Sequence, residues 1–161
     1  MSSILKVSEI QDPTNNNSAL TVNSSGYVIM PQRPAFFVRA ATLYSQTGKI
    51  KYSDDTSTGC FNQGGHYSTT DYQFTAPVEG IYTFSNQVYS QSTAQINLYF
   101  YLNSDVIAGT QTNQAADDGY EGSQLNVTIK MSANDICYIS TSTSQYHTNA
   151  GYSFFSGHLV G

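Results

Sequence analysis

Residues 62–84 read NQGGHYSTTDYQFTAPVEGIYTF, and the fold class turns on this stretch. Gly64 and Gly65 can take positive φ without a Cβ penalty, so a tight turn is expected there. Tyr67 and Phe74 follow as large apolar anchors. Pro77 fixes φ and removes a donor, and Gly80 opens a strand in which Tyr82, Phe84 and Val88 share one face by period-two alternation. The same period recurs on either side of the stretch. Phe36, Val38 and Ala40 alternate, and so do Ile96, Leu98, Phe100 and Leu102, with Gln95, Asn97, Tyr99 and Tyr101 opposite. Leu125, Val127, Ile129 and Met131 form another such face, backed by Asn126, Thr128 and Lys130. Lys49 to Tyr52 is expected as one short strand, and residues 136–140 and 152–160 as the last two. At Ala133-Asn134-Asp135 a turn is expected, with Asn134 in the left-handed conformation that asparagine tolerates. Roughly eight to ten short strands with no helical period argue for an all-β antiparallel sandwich.

The spacing of Asn62, Tyr67, Phe74, Gly80, Tyr82 and Phe84 resembles the signature of the C1q/TNF-like globular head. Thr56 and Asn86 depart from it, standing where that family has a leading Phe and a final aromatic. Phe155-Ser156-Gly157-His158-Leu159-Val160 is similar to the family's closing strand. The resemblance runs from about Ala35 to Gly161. It implies a jelly-roll sandwich of roughly ten strands that packs as a homotrimer. Bulky residues on both faces of several strands agree with a covered second face, as in Phe36-Phe37, Tyr99-Phe100-Tyr101 and Phe154-Phe155. Tyr99, Tyr101, Phe154 and His158 are therefore the candidate subunit interface. Three copies of His158 near a threefold axis are a place for an ion or a pH-sensitive contact; a hydrogen-bonded interface histidine is the expected state.

With 161 residues the chain is long enough for one domain plus a short extension. Its 11% charged residues and 13 Tyr suit strands and the surface of a β protein. Net charge is −5 and the six basic residues are scattered, so the clustered footprint that nucleic acid requires is missing. Apolar runs are too short for a membrane span, and MSSILKVSEIQD lacks a signal-peptide layout. Cys60 and Cys137 are expected as free thiols; a bridge between them is the alternative.

Residues 1–33 form a separate segment. Leu5 and Val7, Leu20 and Val22, and Val28 and Met30 alternate with polar neighbours, separated by turns at residues 12–18 and 24–26. Two or three short strands are expected, too poor in apolar residues to bury a core alone. They need the head, the same segment of other subunits, or a docking partner. The segment resembles the N-terminal stretches of structural and fibre proteins of tailed phages of the cyanophage type. It stands where animal relatives of the head carry a collagen-like stem, and no Gly-X-Y period occurs. Pro31-Gln32-Arg33-Pro34 marks the boundary, so residues 1–33 are read as an anchoring and trimerisation arm and 34–161 as the head.

No catalytic constellation is present: H-E-x-x-H, G-x-S-x-G, a Walker loop and C-x-x-C are all missing, and no enzyme is expected. No cofactor is expected either. Asp54-Asp55 and Asp117-Asp118 are the loop acids a Ca2+ ion would use, with solvated carboxylates the expected state. The N-glycosylation triplets at Asn16, Asn23 and Asn126 are read as incidental. Loops at residues 46–58, 111–121 and 142–151, the last with Tyr146 and His147, are rich in hydroxyl and amide side chains and form the candidate recognition surface. The expected role is a non-enzymatic virion structural protein of a tailed phage, assembled in the host cytoplasm. It is a trimeric surface appendage, either a tail-fibre tip or a capsid decoration or head fibre. Residues 1–33 hold other virion proteins, and the head contributes to host attachment through a cell-surface glycan or protein. The alternative is a cellular or secreted C1q-like lectin.

Overall fold

The computed structural model describes residues 5–40, 47–56, 59–90, 95–112, 121–142 and 152–161, and the chain divides into two compact units, Met1–Arg33 and Pro34–Gly161. In the first unit, β1 (Glu9–Gln11), β2 (Ser18–Val22) and β3 (Val28–Ile29) form an antiparallel sheet in that order. Side chains close its turns. Asp12 Oδ1 accepts from the backbone N–H of Thr14 at 2.7 Å and of Asn15 at 3.3 Å, and Asn23 Oδ1 accepts from Ser25 and Tyr27 at 3.0 and 2.9 Å. The backbone donors hold the Asp12 carboxyl below its ordinary pKa. These turns fix where pairing starts, so the first strand begins at Glu9, and Leu5 and Val7 lie ahead of it. No described residue from 5 to 33 is buried, and Ile10, Val28, Ile29 and Met30 are exposed.

The second unit is a sandwich of two six-stranded antiparallel sheets. One runs β13 (Glu121–Met131), β10 (Gly80–Ser90), β15 (Phe154–Leu159), β4 (Ala35–Ala40) and β6 (Tyr52–Ser53), with β7 (Phe61–Gln63) also paired to β4. The other runs β12 (Asp105–Thr112), β11 (Ile96–Leu102), β14 (Ile136–Thr141), β9 (Gln73–Thr75) and β8 (Tyr67–Ser68), with β5 (Gly48–Lys49) on β14. Period-two alternation sorts each strand into a core face and an outer face. Phe36, Tyr82, Phe84 and Phe155 of the first sheet meet Phe74, Leu98, Phe100 and Ile139 of the second, all buried. Across the two sheets the rings of Phe84 and Phe100 are 5.2 Å apart, and those of Phe36 and Phe74 also 5.2 Å. Cys60 and Cys137 are both buried and are not joined by a disulfide, and burial pushes the Cys137 thiol well above its ordinary pKa.

Two elements differ from expectation. Lys49 to Tyr52 is not one strand: Gly48–Lys49 pairs with β14 in one sheet, and Tyr52–Ser53 with β4 in the other. The chain changes sheets at Ile50, which is fully buried and donates its N–H to Ile139 O at 3.0 Å. Alternation cannot show this, because a two-residue strand has no period. Second, β12 is a full strand that the pattern hid. Its pairing with β11 shifts register between Phe100 and Tyr101, and that irregularity breaks the alternation through Val106, Ile107 and Ala108.

Asn86 occupies the core face of β10 between Phe84 and Val88 and is 1% exposed. The departure from the aromatic signature is compensated by hydrogen bonds. Its Nδ2 donates to Tyr52 Oη at 2.6 Å and to Phe154 O at 2.8 Å. Asn86→Ala removes both donations from a buried site, and a loss of about 2 kcal/mol is expected. Urea unfolding of Asn86→Ala, Tyr52→Phe and the double variant tests the coupling. The double variant should cost less than the sum of the two singles, and strict additivity would refute the network.

Candidate functional site

The signature residues turn out to build the fold. Asn62 closes the turn made by Gly64 and Gly65, whose φ values are 81° and 71°. Its Nδ2 donates to Tyr67 O at 2.8 Å and its Oδ1 accepts the Tyr67 N–H at 3.1 Å, so one side chain imitates a strand pair. Tyr67, Phe74, Tyr82, Phe84 and Phe155 are core rings, and Gly80 and Gly157 are buried. Function must therefore be sought on the two outer faces and in the loops.

The outer face of the β4–β15 sheet carries a row of phenylalanines. Phe37 stacks on Phe154 at 5.6 Å between ring centroids, and Phe61, 48% exposed, stands directly opposite Phe37 in register on β7. Much of the rest of this face is hydroxyl and amide, with exposed Ile81 opposite Lys130 at one end. Thr83 and Thr128 hydroxyls meet at 3.1 Å, Gln124 Nε2 donates to Gln87 Oε1 at 2.8 Å, and His158 is exposed on β15.

The outer face of the β11–β14 sheet is different. Tyr101 and Tyr138 lie parallel, with centroids 4.8 Å apart and planes within 6°. Lys49 Nζ stands 4.2 Å from the centre of the Tyr138 ring and donates to Gln73 Oε1 at 2.7 Å. Burial, and then the neighbouring Tyr101, raise the Tyr138 hydroxyl above its ordinary pKa. Beside this ledge, a cleft of about 220 Å³ is lined by Asn97, Tyr99, Gly109, Thr110 and Gln111. In register, Tyr99 faces Gly109 and Asn97 faces Gln111. Asn97 Nδ2 donates to Ser142 Oγ at 3.0 Å.

The four interface candidates thus fall on two surfaces. Phe154 and His158 share the outer face of one sheet, and Tyr99 and Tyr101 that of the other. Asp54 is half-buried and accepts weakly from Asn62 Nδ2 at 3.5 Å, while Asp55 is exposed. Asp117, Asp118, Tyr146 and His147 lie outside the described residues. Among the described residues, no group of three or more His, Cys, Asp or Glu is placed to hold a metal ion. Sequence reasoning missed Phe61 and Gly109, and it placed Gln111 at the start of a loop, whereas Gln111 lies within β12. Only pairing register, which joins distant strands, sets Phe61 beside Phe37, Gly109 beside Tyr99 and Gln111 beside Asn97.

The C1q domain family model matches residues 35–160 of this chain.

Proposed function

The chain belongs to the C1q family, and from that premise we propose that it is a non-enzymatic, homotrimeric recognition head on an anchoring arm, carried as a surface appendage of a tailed-phage virion. The row Phe37, Phe61 and Phe154 carries the assembly reading. Three at least partly exposed rings on one face of a sheet give an apolar patch for a heterologous contact, in which the row of one subunit meets a different patch of the next around a threefold axis. The flanking Ser, Thr and Gln side chains then supply a polar rim. Tyr99 and Tyr101, on the opposite face, stay outside the trimer contact.

The arm supports the appendage. A sheet whose apolar residues Ile10, Val28, Ile29 and Met30 are all exposed gains stability by burying them on another protein. Together with its resemblance to phage fibre segments, this favours a virion lattice as the anchor. Three heads on one anchor multiply weak contacts to a repetitive cell surface.

Light scattering on the purified chain should give three times the 17.6 kDa of one subunit. Phe154→Glu should shift it to monomer at micromolar concentration with its far-ultraviolet dichroism unchanged. Antibody against the head, applied to purified particles, should label their surface. A wild-type monomer overturns the assembly reading. Label confined to a cellular or secreted fraction would transfer the head to the cellular lectin class.

A further inference from the structure

We propose that the cleft between β11 and β12 is a saccharide-binding subsite that takes one neutral pyranose unit of a glycan, with Tyr99 as its stacking platform. This rests on the recognition reading above and gives it a ligand class and a place. Gly109 is the first indication. It lies within β12, it is not among the glycines with positive φ, and a glycine inside a strand weakens pairing. Its backbone conformation does not call for glycine, but its surroundings do. A Cβ there would lie 3.3 Å from Tyr99 Cδ1 and 3.3 Å from Leu98 O. The missing side chain lets the phenol ring settle toward the β12 backbone and leaves a trough beside it.

The chemistry of the lining selects the ligand. Asn97 and Gln111, opposed in register, bring two amides to one end of the trough; Asn97 Nδ2 is engaged by Ser142 Oγ and Gln95 Oε1, and Gln111 carries both donors and an acceptor. Vicinal hydroxyls of a pyranose offer the matching donors and acceptors, and the C–H face of the ring covers an aromatic plane. The Asn97 amide is already oriented by its bond to Ser142 Oγ, so little side-chain freedom is lost on binding. No lining residue carries a charge, which disfavours a phosphate or carboxylate ligand. β12 is an edge strand, and a peptide adding to that edge is the competing occupant. The polar lining lacks the apolar side-chain pockets that give such a peptide its specificity. This face is also opposite the Phe37–Phe154 row, so trimerisation through that row leaves three open clefts on one particle.

Saturation-transfer NMR on the full chain, with glucose, galactose, mannose and N-acetylglucosamine and their disaccharides as probes, tests the proposal. At least one sugar should bind with a Kd of about a millimolar per head. Tyr99→Ala should weaken it roughly tenfold or more, and Gly109→Ala should also weaken it by tilting the ring. Both variants should keep the wild-type thermal transition within a few degrees. If sugar binding survives both variants, or a peptide library selects binders at β12 while every sugar fails, the cleft assignment is overturned and the recognition reading stands. A wild-type chain that binds neither these sugars nor any intact cell removes both.

Discussion

Gly157→Ala is expected to destabilise the head by at least about 3 kcal/mol, and Gly157→Val to leave no native protein at room temperature. Gly157 sits on the core face of β15, directly opposite Phe84 on β10 and Phe36 on β4. Both rings lean over it. A Cβ at this position would stand 2.6 Å from Phe84 Cε1 and 2.9 Å from Phe36 Cε1. Relief would require moving two rings that are themselves wedged. Phe84 contacts Phe74, Phe100 and Phe155 at centroid distances of 5.7, 5.2 and 5.9 Å. In a core packed to crystal density, an added methyl displaces neighbours that have nowhere to go. Urea unfolding followed by near-ultraviolet dichroism should show the loss, and Phe84→Leu combined with Gly157→Ala should recover part of it. If Gly157→Ala unfolds at the wild-type midpoint, the rings do not occupy this space. Gly109→Ala is the internal contrast: its added Cβ meets Tyr99 Cδ1 and Leu98 O at 3.3 Å on an outer face, where a few tenths of an ångström of movement are enough.

That contrast also marks what could be foreseen. Strand faces were legible wherever one segment carried its own period, as in Tyr82-Phe84-Val88 and Ile96-Leu98-Phe100, which are buried as alternation requires. The positive φ of Asn134, 72°, was legible because asparagine tolerates that conformation. Sheet membership was not. Tyr99 and Phe154 look alike as outward aromatics, yet they lie on opposite outer faces, because which sheet a strand joins is decided by pairing with residues far away in the chain. The cleft was half visible. Tyr99 and Asn97 stood out on the polar side of their strand, but Gly109 and Gln111 acquire meaning only through a register interrupted by a bulge. The buried Asn86 was seen as a departure from the family pattern. Its partners, Tyr52 Oη and Phe154 O, come from two other strands and were beyond local reasoning.

Two adjacent aromatics on β15 should separate folding from assembly. Phe155→Ala is expected to cost about 4 kcal/mol, near the upper range for emptying an aromatic site. The Phe155 ring lies within 5.0 Å of Phe36, 5.9 Å of Tyr52 and Phe84, and 6.3 Å of Tyr67 and Phe100, so five other rings lose a neighbour together. The cavity cannot close easily. β15 is hydrogen-bonded between β10 and β4, which holds the backbone in place while the walls are stiff rings. For a chain of this size that loss lowers the melting temperature by about 12 °C. Phe154, one residue earlier, points to the other side and stacks only on Phe37 among the described rings. Phe154→Ala should therefore cost the isolated subunit no more than about 1.5 kcal/mol while weakening association. Because association adds to apparent stability by mass action, the two variants must be compared at several chain concentrations. The Phe155→Ala deficit should persist at every dilution, whereas the Phe154→Ala deficit should shrink as the wild type dissociates. Equal and concentration-independent losses would show that both rings serve only the fold, and the assembly face would then have to be sought elsewhere.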